Sequence, residues 1–240
     1  GDTIQFDVAL NAAAKTTTPA KTPASTPRLD SLIAKGQWRG DLLTLDTLRV
    51  IADQVQLQGQ LKINTAQPAT QGQLALTVPG AQAQINGQMA PTQGAGTVDI
   101  TLADATKAQR WVESLPGLSV NLGGSQLKGQ ASLKGSWQGG WQSVQTRLAT
   151  GKAPPSNSGN LTVQATLAVP QLDSQPPPAP AGAPAAVPLQ LRGIRAELAG
   201  HLAQASLSVQ GDVRSGSQKL SLQTQLNGGL EALNQWRAAL

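Results

Sequence analysis

The stretch "VQLQGQLKIN", residues 55–64, decides the fold class. Val55, Leu57, Gly59, Leu61 and Ile63 alternate with Gln56, Gln58, Gln60, Lys62 and Asn64. That is the period of two expected of a β-strand with one apolar and one wet face. The apolar face must touch something.

Alternating segments recur along the sequence. They are residues 3–10, 73–78, 81–89, 96–102, 118–122, 126–137, 161–169, 194–198, 205–213 and 219–226. In 118–122 the apolar set is Leu118, Val120 and Leu122, and in 126–137 it is Leu127, Ala131, Leu133 and Trp137. Turn signals separate many of them: Pro79-Gly80, Asn86-Gly87, Gly123-Gly124 and Gly139-Gly140. Strands joined by tight turns make an antiparallel meander, so the fold is expected to be all-β, with about 12 strands. One segment departs from the pattern. Residues 104–117 place Ala108, Trp111, Val112 and Leu115 at helical spacing, with Asp104 as N-cap and Pro116-Gly117 as the stop. One short amphipathic helix is expected there, lying over an end or edge of the sheet.

Composition limits what the apolar face can be. The 240 residues include one Phe, no Tyr and one Met, so the hydrophobic 39% is mostly Ala, Leu and Val. A closed sandwich usually fills its interior with aromatics. Charged residues make up only 13%, against about 25% in an average soluble domain. The net charge of +5 comes from scattered Lys and Arg with no basic stripe, which argues against nucleic-acid binding. With no cysteine, there are no disulfides and no thiolate chemistry. No run approaches the ~18 apolar residues of a membrane helix.

Two stretches, 11–28 and 174–188, are rich in Pro, Ala and Thr or Ser and are expected to be disordered insertions within the sheet. Residues 151–159 read as a shorter loop. Because 3–10 already alternate, residues 1–240 are expected to be a single fragment of something longer. Repetition supports this: Gln37-Trp38-Arg39-x-x-Leu42 recurs as Gln235-Trp236-Arg237-x-x-Leu240. The preceding segments match too, "IQFDVALNA" and "LDSLIAKGQWRG" against "LSLQTQLNGGLEALNQWRA".

With Trp38, Gly40 and Leu42, and with "LADATKAQRWVESLPGLSVNLGGSQLKGQASLKGSW" (102–137), the chain resembles the TamB-like members of the AsmA-like group of bridge-like lipid-transfer proteins. The second copy of the Trp motif departs from the pattern, since Ala238 stands where glycine would. The resemblance implies an antiparallel meander curled into an elongated, open, taco-like groove, as part of an inner-membrane-anchored periplasmic protein. It also implies phospholipid transport along the groove and support of outer-membrane assembly through a β-barrel partner. Phospholipid acyl chains and flanking segments of the parent chain are then the partners, and no cofactor is implied. The expected groove-lining residues are Ile4, Phe6, Val8, Val55, Leu57, Leu61, Ile63, Leu74, Leu76, Val78, Ile85, Val98, Ile100, Leu102, Leu161, Val163, Leu167, Leu207, Val209, Leu220, Leu222 and Leu226.

Catalysis has little to work with. His201 is the one histidine, read as a polar-face strand residue, and no metal-ligand spacing or strained nucleophile turn accompanies it. No enzyme activity is expected. Trp38, Trp111 and Trp236 each neighbour an arginine. A Trp-Arg pair at a groove rim could meet a lipid phosphate. Adjacent residues on a strand face opposite sides, however, which favours a structural role for Trp38 and Trp236. The alternative to a lipid groove is a structural or adhesive β-rich module of a secreted surface protein. It would have a dry, fully packed interior. An outer-membrane barrel is disfavoured because 2% aromatics cannot build the two interfacial girdles.

Overall fold

The computed structural model describes residues 2–11, 29–52, 54–115, 124–150, 161–179, 182, 186–201, 204–228 and 237–239. These form an all-β, open antiparallel meander. In chain order the elements are β1 (Thr3–Asn11), β2 (Leu29–Arg39), β3 (Leu42–Ala52), β4 (Val55–Asn64), β5 (Ala69–Val78), β6 (Ala81–Met89), β7 (Gly94–Leu102), α1 (Ala105–Ser114), β8 (Gln126–Gln138), α2 (Gln142–Thr150), β9 (Thr162–Gln175), β10 (Leu189–His201), β11 (Ala205–Ser215), β12 (Gln218–Gly228) and β13 (Arg237–Ala239). The strands lie side by side in sequence order, and the sheet does not close on itself. Thirteen strands at ~4.8 Å spacing extend the sheet ~58 Å across the strands.

Each connection follows from local chemistry. Pro79-Gly80 turns β5 into β6, and Gly80 takes the positive φ of 77° that glycine adopts at no steric cost. At the β4–β5 turn the Asn64 side chain accepts the N–H groups of Ala66 and Gln67 at 3.0 and 3.1 Å. Asp104 caps α1 by accepting the Lys107 N–H at 3.0 Å, the hydrogen bond that chiefly holds its carboxyl below the ordinary value. α1 lies against β8 where that strand outruns β7, whose last paired residue is Leu102 opposite Ala131.

Several expectations are corrected. Strands β2 and β3 are additional to the alternating segments, and β9 runs through Pro170 to Gln175, so Ser174 and Gln175 belong to the sheet rather than to an insertion. Asn11 likewise ends β1. Asn86-Gly87 is no turn but sits inside β6, paired with Gln73 and Gly72. A second helix, α2, stands beside the one expected, after the Gly139-Gly140 bend. The segment 118–122, the stop at Pro116-Gly117 and the loop 151–159 lie outside the described residues, as does nearly all of 11–28.

No closed core forms among the described residues. Among the described residues only Ala105 and Val169 are buried apolar side chains. The chain exposes 16102 Å², against roughly 10,000 Å² for a compact monomer of this length. Among the described residues the strands make their substantial contacts with their neighbours in the meander, α1 packs on β8, and no second layer lies over the sheet.

Candidate functional site

The apolar face is built by register. Directly opposed residues in an antiparallel pair project to the same side of the sheet. From Leu57 the chain of opposed residues runs to Leu76, Ala83, Ile100, Leu133, Leu167, Ala196 and Val209 in one direction, and to Val50, Leu32 and Leu10 in the other. A parallel chain passes through Val8, Ala34, Leu48, Leu74, Ile85, Val98, Leu198, Leu207 and Leu226. By the same register every strand residue expected to line a groove, from Ile4 to Leu226, falls on this one side. Leu161 precedes β9 by one residue, so no strand pairing fixes its side.

Among the described residues no second layer lies over this face. Val55, Leu57, Leu61 and Ile63 are half-buried, while Gln56, Gln58, Gln60 and Lys62 on the other side are exposed. The face stays partly open even so: Ile85 is 46% exposed and Leu220 57%.

The opposite face is a ladder of amides and hydroxyls. Gln60, Gln73 and Asn86 stand opposite one another, as do Gln58, Ala75 and Gln84. A shallow recess is lined by Arg49, Gln58, Gln60, Gln73 and Gln84 together with Leu48, Leu74 and Ile85. The sparse charges pair across strands on this side: Lys35 with Asp7 at 2.9 Å, Lys134 with Asp99 at 3.8 Å, and Arg192 with Asp173 at 2.5 Å. The hydrogen bond from Arg192 is the main cause holding the Asp173 carboxyl below its ordinary value. For Asp212 the main cause is the Ser221 hydroxyl, which donates at 2.7 Å.

The tryptophans separate into roles. Trp38 shares the apolar face with Ile4 and Leu43, so Arg39 projects to the other side. The Trp38 indole N–H donates to Gly40 O at 2.6 Å. Trp137 lies across the glycines of β6 and β7 and donates from Nε1 to Gln88 O at 3.1 Å. Trp236 lies outside the described residues. His201 ends β10 on the polar side, opposite Thr162. Among the described residues no three metal-ligating side chains gather, and no helix is long and apolar enough to cross a membrane.

The face also contains residues that the alternation did not pick out: Leu32, Leu43, Leu45, Leu48 and Val50 of β2 and β3, and Leu191 of β10. Their signal was there but out of phase, because a bulge interrupts β3 between Leu45 and Leu48 and β10 between Arg192 and Arg195. No protein-family model, no curated protein and no solved structure matches the chain.

Proposed function

We propose that this chain is a segment of a lipid-conducting β-groove, whose apolar face carries phospholipid acyl chains. In this reading it belongs to a longer, inner-membrane-anchored protein of the periplasm that supports phospholipid transport and outer-membrane assembly, as the TamB-like resemblance implies. The observation that carries the reading is the continuity of one aliphatic face across the meander, with no layer covering it among the described residues. Monomeric proteins rarely leave apolar patches beyond a few hundred Å² bare, and larger ones mark interaction sites. The chemistry of this face suits flexible hydrocarbon. It is lined by Leu, Ile, Val, Ala and Gly with few aromatic rings, and the ion pairs lie on the other side. Acyl chains need a greasy, adaptable wall and no hydrogen-bond partner along their length.

Native mass spectrometry of the purified segment, with lipid extraction from the same sample, tests the reading. Co-purifying phospholipid, absent from a Leu61→Arg variant that still folds, is the expected result. An apo mass with a cooperative, lipid-independent melt would overturn it in favour of a structural module. A lipid-free dimer would show that a second copy covers the face instead.

A further inference from the structure

We propose that a line of glycines and β-bulges, crossing the strands from edge towards edge, is the crease that gives the sheet its curl. The proposal is independent of what occupies the apolar face. Every strand from β2 to β8 carries one element of the line. Gly36 of β2, Gly59 of β4, Gly72 of β5, Gly87 of β6, Gly96 of β7 and Gly135 of β8 fall on two neighbouring steps of the apolar face, two residues apart along each strand. β3 has no glycine there. Instead its bulge, between Leu45 and Leu48, falls on the same two steps, opposite Gly36 on one side and Gly59 on the other.

What five of these six glycines share, Gly135 being the exception, is where a Cβ would point. In a regular pleated strand the Cβ stands off the sheet, clear of the neighbouring backbone. At Gly36, Gly59, Gly72 and Gly87 it would instead run into a carbonyl oxygen of the adjoining strand, those of Thr44, Gln73, Gln60 and Ala95. At Gly96 it would meet the Trp137 ring, with Asn86 O at 2.6 Å. The backbone at this line is therefore turned towards the plane of the sheet, as it is where a strand bends sharply. Glycine kinks and bulges are the two devices that put curvature into a sheet, and here they share one line. Phe6 and Trp137 fold their rings into the crease, the Phe6 ring reaching within 3.0 Å of the missing Gly36 Cβ.

From β8 onward a second line continues nearer the other end of the strands. Gly129 of β8 is followed by paired bulges in β9 and β10, around Pro170 and Gly193, and then by Gly211 of β11. A Cβ at Gly211 would meet Ile194 Cα at 2.7 Å. β8 therefore carries an element of each line and is where the fold axis steps across the sheet.

The chain lacks cysteine, so paired spin labels can be placed cleanly. Labels at Gln54 and Gln67, exposed turn residues at the two ends of β4, straddle Gly59. A straight strand from Gln54 to Asn64 spans ~34 Å, and Gln67 lies in the turn just beyond it. The expected distance is clearly shorter, and Gly59→Ala or Gly72→Ala should lengthen it by several Å. Gly135→Ala should leave it unchanged, since its added methyl would meet chiefly the movable Val98 Cγ1 at 2.9 Å. A straight-strand distance in the unaltered chain overturns the proposal without any variant. An unchanged distance in folded Gly59→Ala and Gly72→Ala also overturns it. If those two fail to fold while Gly135→Ala folds, a short distance in the unaltered chain still assigns the bend to the glycines that face backbone.

Discussion

The side chain of Gln109 in α1 binds the backbone of β8 as a neighbouring strand would. Its Oε1 accepts the Leu127 N–H at 2.7 Å, and its Nε2 donates to Ser125 O at 2.7 Å. Thr106 Oγ1 adds a bond to Leu127 O at 2.6 Å. These bonds close a stretch of β8 that β7 does not reach. An open strand edge is a template for unwanted pairing, so α1 acts as an edge cover. Gln109→Ala leaves one donor and one acceptor of the β8 backbone to solvent. At this half-buried site it should cost about 1 kcal/mol, near the lower bound for an unpaired buried group. Urea unfolding followed by circular dichroism measures the loss, and light scattering should show faster aggregation than for Gln109→Asn.

The bulges of β9 and β10 are matched, and a deletion series can show it. β9 carries one extra residue relative to β8, and β10 carries one extra relative to β11. Between β9 and β10 the pairing passes from Val169–Ile194 to Gln171–Arg192 without a shift. Pro170 has no N–H to give a ladder, and Gly193 sits at φ 58°, so each residue suits its bulge. Deleting Gly193 alone should mismatch β10 against β9. Deleting Pro170 as well should restore a regular register on all three strand pairs while Leu172 and Leu191 keep their side. The double deletion is therefore expected to be more stable than either single one, a coupling read from a double-mutant cycle in urea. Additive losses would show that the two bulges are independent.

The same bulges explain how far the sequence could be read. Where alternation is unbroken, as in 55–64 or 205–213, the strand, its face and its apolar residues were legible from period two alone. In "LLTLDTLRVIA" the apolar series Leu43, Leu45 jumps to Leu48, Val50, because Asp46 and Thr47 take up an extra position. The alternation reads as noise unless a bulge is assumed. Pro170 had the same effect in β9: the alternation read from Leu161 stops at Val169, whereas the ladder continues past the proline to Gln175. Helix α2 was hidden for another reason. "QSVQTRLAT" has only weak amphipathic spacing, and its start is fixed by tertiary contacts, with Gln142 N donating to Pro91 O at 2.9 Å. Asn86-Gly87 is a strong turn dipeptide locally, yet Gly87 serves as a close-packed glycine under Trp137.

Acid should act on the ladder through Asp173. The Arg192 hydrogen bond, helped by Gln171, lowers the carboxyl below its ordinary value of 3.8. A depressed folded value means that the stabilisation is in place above pH 3.8 and is lost as the pH falls through the folded value. Melting temperature measured from pH 6 to pH 2 should therefore drop at the acid end, and Asp173→Asn should flatten that limb while costing stability at neutral pH. Asp212, held down by Ser221, works in the same direction, so Asp173→Asn alone should leave part of the acid limb.

Two adjacent positions in β4 separate the roles of the faces. Leu61 shares the apolar side with Leu45 and Gly72, whereas Gln60 shares the polar side with Gln73. An arginine at 61 places a charge where the lipid reading needs hydrocarbon. A lysine at 60 joins a face that already holds Lys62 and Lys35. Leu61→Arg is expected to reduce co-purified phospholipid at least tenfold, a loss of about 1.4 kcal/mol or more in binding, and Gln60→Lys to leave it unchanged. Both variants should retain the circular-dichroism signature of the sheet, because neither site lies in a closed core. Lipid quantified by mass spectrometry per mole of folded protein decides between the faces. Equal loss from both variants would mean that lipid follows overall charge or fold integrity rather than the aliphatic wall, and the groove reading would fail.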